Sequence, residues 1–110
     1  MGEIRHCPVA VALQHLGKKW TIHILRDMLR GNKRFSDFLA NSPRLSTKVL
    51  SARLKELQED GLIEKRELSS HPKQIEYHLT SRGLALNKVI IELAIFSIEA
   101  RNRFEGPLAT

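Results

Sequence analysis

The stretch Arg34–Ile63, RFSDFLANSPRLSTKVLSARLKELQEDGLI, constrains this chain more than any other segment. Phe35, Phe38 and Leu39 recur at i, i+3 and i+4, which predicts one apolar stripe on a helix of about two turns. Asn41-Ser42-Pro43 ends it, because proline removes a backbone donor and biases the preceding residue away from helical dihedrals. Ser46 then offers its hydroxyl to the free amides of a new first turn. Gly61, after the charged run Glu56–Asp60, supplies a left-handed stop. The segment 34–61 is therefore read as helix, turn and longer helix.

The longer helix has two unlike sides. At 100° per residue Leu50, Leu54 and Leu57 share a narrow sector with Val49 at its edge. Lys48, Ser51, Ala52 and Lys55 point the other way. Over Arg30–Lys55 the cations Arg30, Lys33, Arg34, Arg44, Lys48, Arg53 and Lys55 meet one acid, Asp37. A helix that needs only solubility mixes its charges along its length. Cations give affinity for phosphates, and small polar side chains allow close approach to base edges.

Composition narrows the setting. The 110 residues, 42% hydrophobic and 27% charged, match a single globular domain spanning 1–110 rather than a disordered chain. The formal charge of +6 favours an anionic partner. No apolar run approaches the ~20 residues of a membrane span, and Met1–His6 lacks the apolar core of a signal peptide. A cytoplasmic setting without membrane association is the expectation. One cysteine, Cys7, rules out an internal disulfide framework.

The N-terminal segment 1–17 reads as a helix opened by Cys7-Pro8 and closed at Gly17. Proline suits the first helical position, which places Cys7 at the N-cap. The positive end of the helix dipole, with Arg5 and His6 alongside, favours the thiolate there. Cys7 is thus a candidate sensor for an oxidant or electrophile, the alternative being a small buried hydrophobe. A second helix is predicted over Trp20–Arg30, with Trp20, Ile24, Leu25 and Met28 on its core side and Gly31-Asn32 after it. The histidines His15 and His23 match no metal-ligand spacing and read as surface or packing residues.

Segment 62–80 reads as a hairpin. Ile75, Tyr77 and Leu79 alternate with Glu76 and His78, and Leu62–Leu68 pairs with Gln74–Thr80. Ser69–Lys73 forms a basic tip flanked by Lys65 and Arg66. A hairpin directly after such a helix is a wing, able to lie over a phosphate or enter the minor groove. Thr80 then caps a last helix over 81–104. Val89, Ile90, Ile91, Leu93, Ala94, Ile95, Phe96 and Ile98 wrap nearly its whole circumference. Such a helix must be buried on more than one side, which predicts a twofold homodimer. Helix Pro8–Leu16 is the other element that can cover part of this surplus.

With these residues set out, the chain resembles the HxlR-type winged helix–turn–helix regulators over about Cys7–Gly83. The resemblance rests on Cys7-Pro8, Gly17 with Lys19-Trp20, Arg34-Phe35, Leu45-Ser46, Leu50, Leu54, Leu57, Gly61-Leu62-Ile63, Pro72, Glu76-Tyr77, Leu79-Thr80 and Gly83. It implies a mainly α fold with a small β-hairpin (α+β), dimeric through the N- and C-terminal helices. It implies a DNA-binding repressor or activator on a near-palindromic duplex, with the recognition helix at Ser46–Asp60 and the wing at Ser69–Lys73. Some members sense quinones, aldehydes or oxidants through a cysteine just before the first-helix proline, which matches Cys7. Lys18 and Arg44 stand where the family commonly has glycine.

By this reading Ser46, Thr47, Lys48, Ser51, Ala52 and Lys55 meet the major groove, while Arg34, Arg44, Lys65, Arg66 and Lys73 hold phosphates. The competing reading is a winged-helix module that docks protein, since one fold serves both purposes. A docking face presents large apolar or aromatic anchors, and none is visible along Ser46–Lys55. An enzyme finds no support: there is no metal spacing, no glycine-rich phosphate loop and no base-and-orienter arrangement around Cys7. No cofactor is expected.

Overall fold

The computed structural model describes the backbone of residues 7–104 and the side chains of residues 7–100. The order is α1 (Pro8–Leu16), α2 (Thr21–Leu29), α3 (Phe35–Asn41), α4 (Thr47–Glu59), β1 (Ile63–Ser70), β2 (Lys73–Leu79), α5 (Ser81–Leu84) and α6 (Asn87–Phe104). Arg5 and His6, expected beside Cys7, lie outside the described residues.

Helix α4 begins and ends as its sequence dictates. The Val49 amide donates to Ser46 Oγ at 3.1 Å. At the other end Gly61 has φ +74°, a conformation that costs residues with a Cβ. Its amide bonds the Gln58 carbonyl, and that of Leu62 reaches back to Leu57, both at 3.0 Å. This is a Schellman closure, and it places Leu62 against Leu57 in the core.

The core is built from Ile24, Leu25 and Met28 of α2, Phe38 of α3, Leu45 of the turn, Leu50, Leu54 and Leu57 of α4, and Leu62, Ile63 and Tyr77 of the hairpin. Burying a side chain of this size contributes roughly 1.5–3 kcal/mol, so this cluster decides where α4 lies. The outer side of α4 is free because its inner side is committed.

Two hydrogen-bonded ties, one of backbone and one through a side chain, fix the hairpin to the helix–turn–helix. The Tyr77 amide donates to the Lys33 carbonyl at 2.8 Å, just before α3. Thr80 donates its hydroxyl to the Gly61 carbonyl at 2.6 Å and accepts from the Gly83 amide at 3.2 Å.

The hairpin is longer than expected and its turn tighter. Pairing runs from Ile63↔Leu79 to Ser70↔Lys73, with an irregularity between Glu67 and Ser69. Only His71 and Pro72, joined by a cis peptide, lie between the strands. Ser69, Ser70 and Lys73 therefore belong to the strands; their turn-prone composition yields to continued ladder bonding.

The predicted single helix over 81–104 is two helices. Thr80 caps only the one-turn α5, and a turn at Ala85–Leu86 precedes α6. Gly83 is buried where an added Cβ would collide with the Leu62 carbonyl. That close approach requires a residue of poor helix propensity one turn into the segment.

Trp20 packs against the core as expected but stands one place outside the helix. It is the N-cap of α2 rather than its first residue, with φ +79°, and is half-buried at the edge of the core. Its ring tilts against His23 with centroids 5.3 Å apart, and Lys19 Nζ lies 5.6 Å from its centroid.

Helix α1 does not hide the apolar surplus of α6. It has no buried residue, and Val9, Val11 and Leu13 are themselves exposed. On α6, Ile90 packs against the core while Val89, Ile91, Leu93, Ile95, Phe96 and Ile98 remain exposed. No described helix is long and apolar enough to cross a membrane.

Candidate nucleic-acid interface

Helix α4 presents a continuous polar side. Ser46, Thr47, Lys48, Ser51, Ala52 and Lys55 are all exposed, as is Arg44 in the preceding turn. Leu50, Leu54 and Leu57 on the opposite side are at most 1% exposed. Among the described residues neither Lys48 nor Lys55 enters an ion pair, so both ammonium groups are available. Small side chains between them leave room for a groove edge to approach the backbone.

Arg53 is different. Its Nε donates to the Lys19 carbonyl at 2.9 Å, and Nη1 lies 3.2 Å from both Glu56 carboxylate oxygens. Lys18 Nζ reaches Glu56 as well, at 3.1 Å. His15 Nδ1 meets Asp60, the C-cap of α4, at 3.0 Å. Helix α4 is thus clipped along its acidic end to α1 and the loop after it. The clip explains why the acids lie at that end. Residues 34, 38 and 45 apart in the chain make these contacts, and no local pattern announces them.

The hairpin sorts its cations by face. Lys65 is paired with Tyr77 and Arg66 with Glu76, so the two side chains leave opposite faces. Lys65 is exposed and shares its face with Lys73. Arg66 lies 3.3 Å from Glu64, on the face that also carries the Glu76–His78 pair at 2.8 Å. The arginine's hydrogen bonds hold the Glu64 carboxyl below its ordinary pKa, and the His78 ring does the same for Glu76. Of the two cations expected to hold phosphates on this hairpin, Lys65 and Arg66 thus leave opposite faces, and Arg66 stands against Glu64.

Arg34 and Lys73, 39 residues apart in the chain, border one shallow depression together with Ser36 and Gln74. The Arg34 amide donates to Asp37 at 3.2 Å, leaving its guanidinium outside the helix cap. Gln74 and Ser36 were not singled out from the sequence; only the hairpin's docking brings them to the cations. Arg44 lies beside Trp20, His23 and Arg26 on a separate depression.

Cys7 is the N-cap of α1 and is exposed, which removes the buried alternative. Its sulfur forms no full capping hydrogen bond. The backbone N–H of Ala10, followed by that of Val9, nonetheless holds the thiol below its ordinary pKa. Among the described residues no group of three or more His, Cys, Asp or Glu is placed to hold a metal ion.

A capped helix with its inner side in the core, a cationic outer side and a hairpin tied to its end together define a winged helix–turn–helix protein. The family model for HxlR-like helix-turn-helix proteins matches residues 15–103, and the chain belongs to that family. The uncharacterized HTH-type transcriptional regulator YvaP of Bacillus subtilis is 37% identical over 100 residues, covering 90% of this chain and 93% of that protein. The HTH-type transcriptional regulator YodB of the same organism is 36% identical over 88 residues, 79% of each chain. Its reduced form superposes with a TM-score of 0.73 at 34% identity, covering 91% of this chain and 96% of that one. The redox regulator HypR in its reduced form gives 0.83 at 28% identity, over 90% and 98%. This chain is accordingly a DNA-binding transcriptional regulator of the helix–turn–helix type.

Proposed function

We propose that the chain acts as a homodimer on a near-palindromic duplex in the cytoplasm, with α4 in the major groove and the hairpin on the backbone or in the minor groove. The observation that carries this is the division of α4: its leucines are sealed in the core while Lys48, Ser51, Ala52 and Lys55 stand clear. Ser46, Thr47, Lys48, Ser51, Ala52 and Lys55 meet base edges and the nearest phosphates. Arg34, Arg44, Lys65 and Lys73 hold flanking phosphates; Arg66 does so only by leaving Glu64.

The exposed apolar residues of α6, with those of α1, support pairing of two copies through these helices. A twofold pair suits half-sites about one helical turn, roughly 34 Å, apart. The exposed Cys7, with its lowered pKa, supports thiol control by a small electrophile or oxidant. YodB has been solved with a quinone bound and HypR in an oxidized form, which adds to that support.

Selection of bound duplexes from a random pool, with and without a quinone, tests the proposal. Inverted half-sites, enriched only without the quinone, are the expected result. A pool that stays random, or one with a single asymmetric site, contradicts it.

A further inference from the structure

A cavity of about 280 Å³ lies between α1, the end of α4 and the turn joining α5 to α6. The DNA reading makes no use of it. Leu16, Leu62 and Leu86 give it an apolar wall, and His15, Asp60 and Arg82 stand around it. Small-molecule sites commonly combine these two ingredients, an apolar body and a few convergent polar groups, in volumes from about 300 Å³ upward.

The charges decide which ligand fits. His15 and Asp60, both on its lining, meet one another at 3.0 Å. Arg82 is exposed and has no ion pair among the described residues. The cavity therefore offers one uncommitted guanidinium beside an apolar wall. A planar guanidinium matches a carboxylate with two parallel hydrogen bonds.

We propose that this cavity binds a small organic carboxylate of one or two rings, its body against Leu16, Leu62 and Leu86 and its carboxylate on Arg82. Its walls come from three elements: α1, the C-cap of the recognition helix, and the lead into α6. Because α1 has no buried residue, it is the wall that yields most readily. A ligand here bears on the position of α4 through Asp60, and any preference for one position of α4 appears reciprocally in operator affinity.

The test uses the full chain without DNA, so that it stands or falls separately from the DNA proposal. Calorimetry with 2-naphthoate and its neutral amide should show saturable binding of one naphthoate per chain, at least tenfold tighter than the amide. Arg82→Gln should reduce naphthoate to the level of the amide. Ala12→Phe, which fills the cavity from α1, should abolish binding of both, with folding of each variant checked by circular dichroism. Equal affinity for acid and amide, indifference to Arg82→Gln, or no saturable binding to a few millimolar overturns the proposal. So does binding that appears only when Phe96→Glu separates the copies, because the occupant is then a second chain.

Discussion

The Arg53 guanidinium donates to the Lys19 carbonyl at 2.9 Å while lying 3.2 Å from the Glu56 carboxylate, joining the middle of the recognition helix to the loop before α2. This arginine is about one-fifth exposed, and its guanidinium is engaged by Lys19 and Glu56. Arg53→Ala should lower stability by about 1.5–3 kcal/mol, the scale of a hydrogen bond to a charged group. Its salt dependence of DNA binding should match that of the native protein, since no phosphate contact is lost. Denaturant titration and binding at several salt concentrations check the two halves.

Cys7 makes a prediction about pH. The amides of Ala10 and Val9 lower its folded pKa, so the thiolate appears at lower pH than in an unfolded chain. By linkage its contribution to stability is present above the unfolded pKa and fades as pH falls through the folded one. The rate of alkylation by iodoacetamide should rise with a midpoint below that of a model cysteine. In urea the midpoint should return to the ordinary value.

Gly83 is fixed by space, not by dihedral freedom. A Cβ there meets the Leu62 carbonyl, which is backbone that the core holds on both sides. Gly83→Ala should destabilise by about 1–3 kcal/mol, as overpacking does. Thermal melts measure this. A stabilised variant would mean that α5 moves freely away from Leu62.

Phe96 is 71% exposed on α6, the most open of the helix's large apolar residues among the described ones. Phe96→Glu should convert a dimer to a monomer at micromolar concentration in sedimentation velocity, with the circular dichroism spectrum little changed. If the native chain already sediments as a monomer, α6 has another partner.

What the sequence made legible was mainly local. The Ser46 cap, the Gly61 stop and the Leu50–Leu54–Leu57 stripe each depend on neighbours within a turn or two, and each stands where its chemistry places it. The break at Ala85–Leu86 was not legible, because no glycine or proline stands at it. The hairpin tip was misplaced because Ser69, Ser70 and Lys73 carry turn chemistry, yet the ladder extends through them. Arg53 counts as one more cation in the sequence, and only the fold shows that a distant carbonyl and a neighbouring acid engage it. Which face Arg66 takes is likewise set by the register with β2, not by its neighbours in sequence.

The most direct measurement is the affinity of Lys48→Ala and Lys55→Ala for a selected operator and for an unrelated duplex, each across a range of salt. A lysine that reads a base should lose on the order of 1–3 kcal/mol on the operator alone. One that meets only phosphate should lose similarly on both duplexes, with a salt slope shallower by about one. Affinity and slope unchanged in both variants would place the duplex elsewhere and contradict the account.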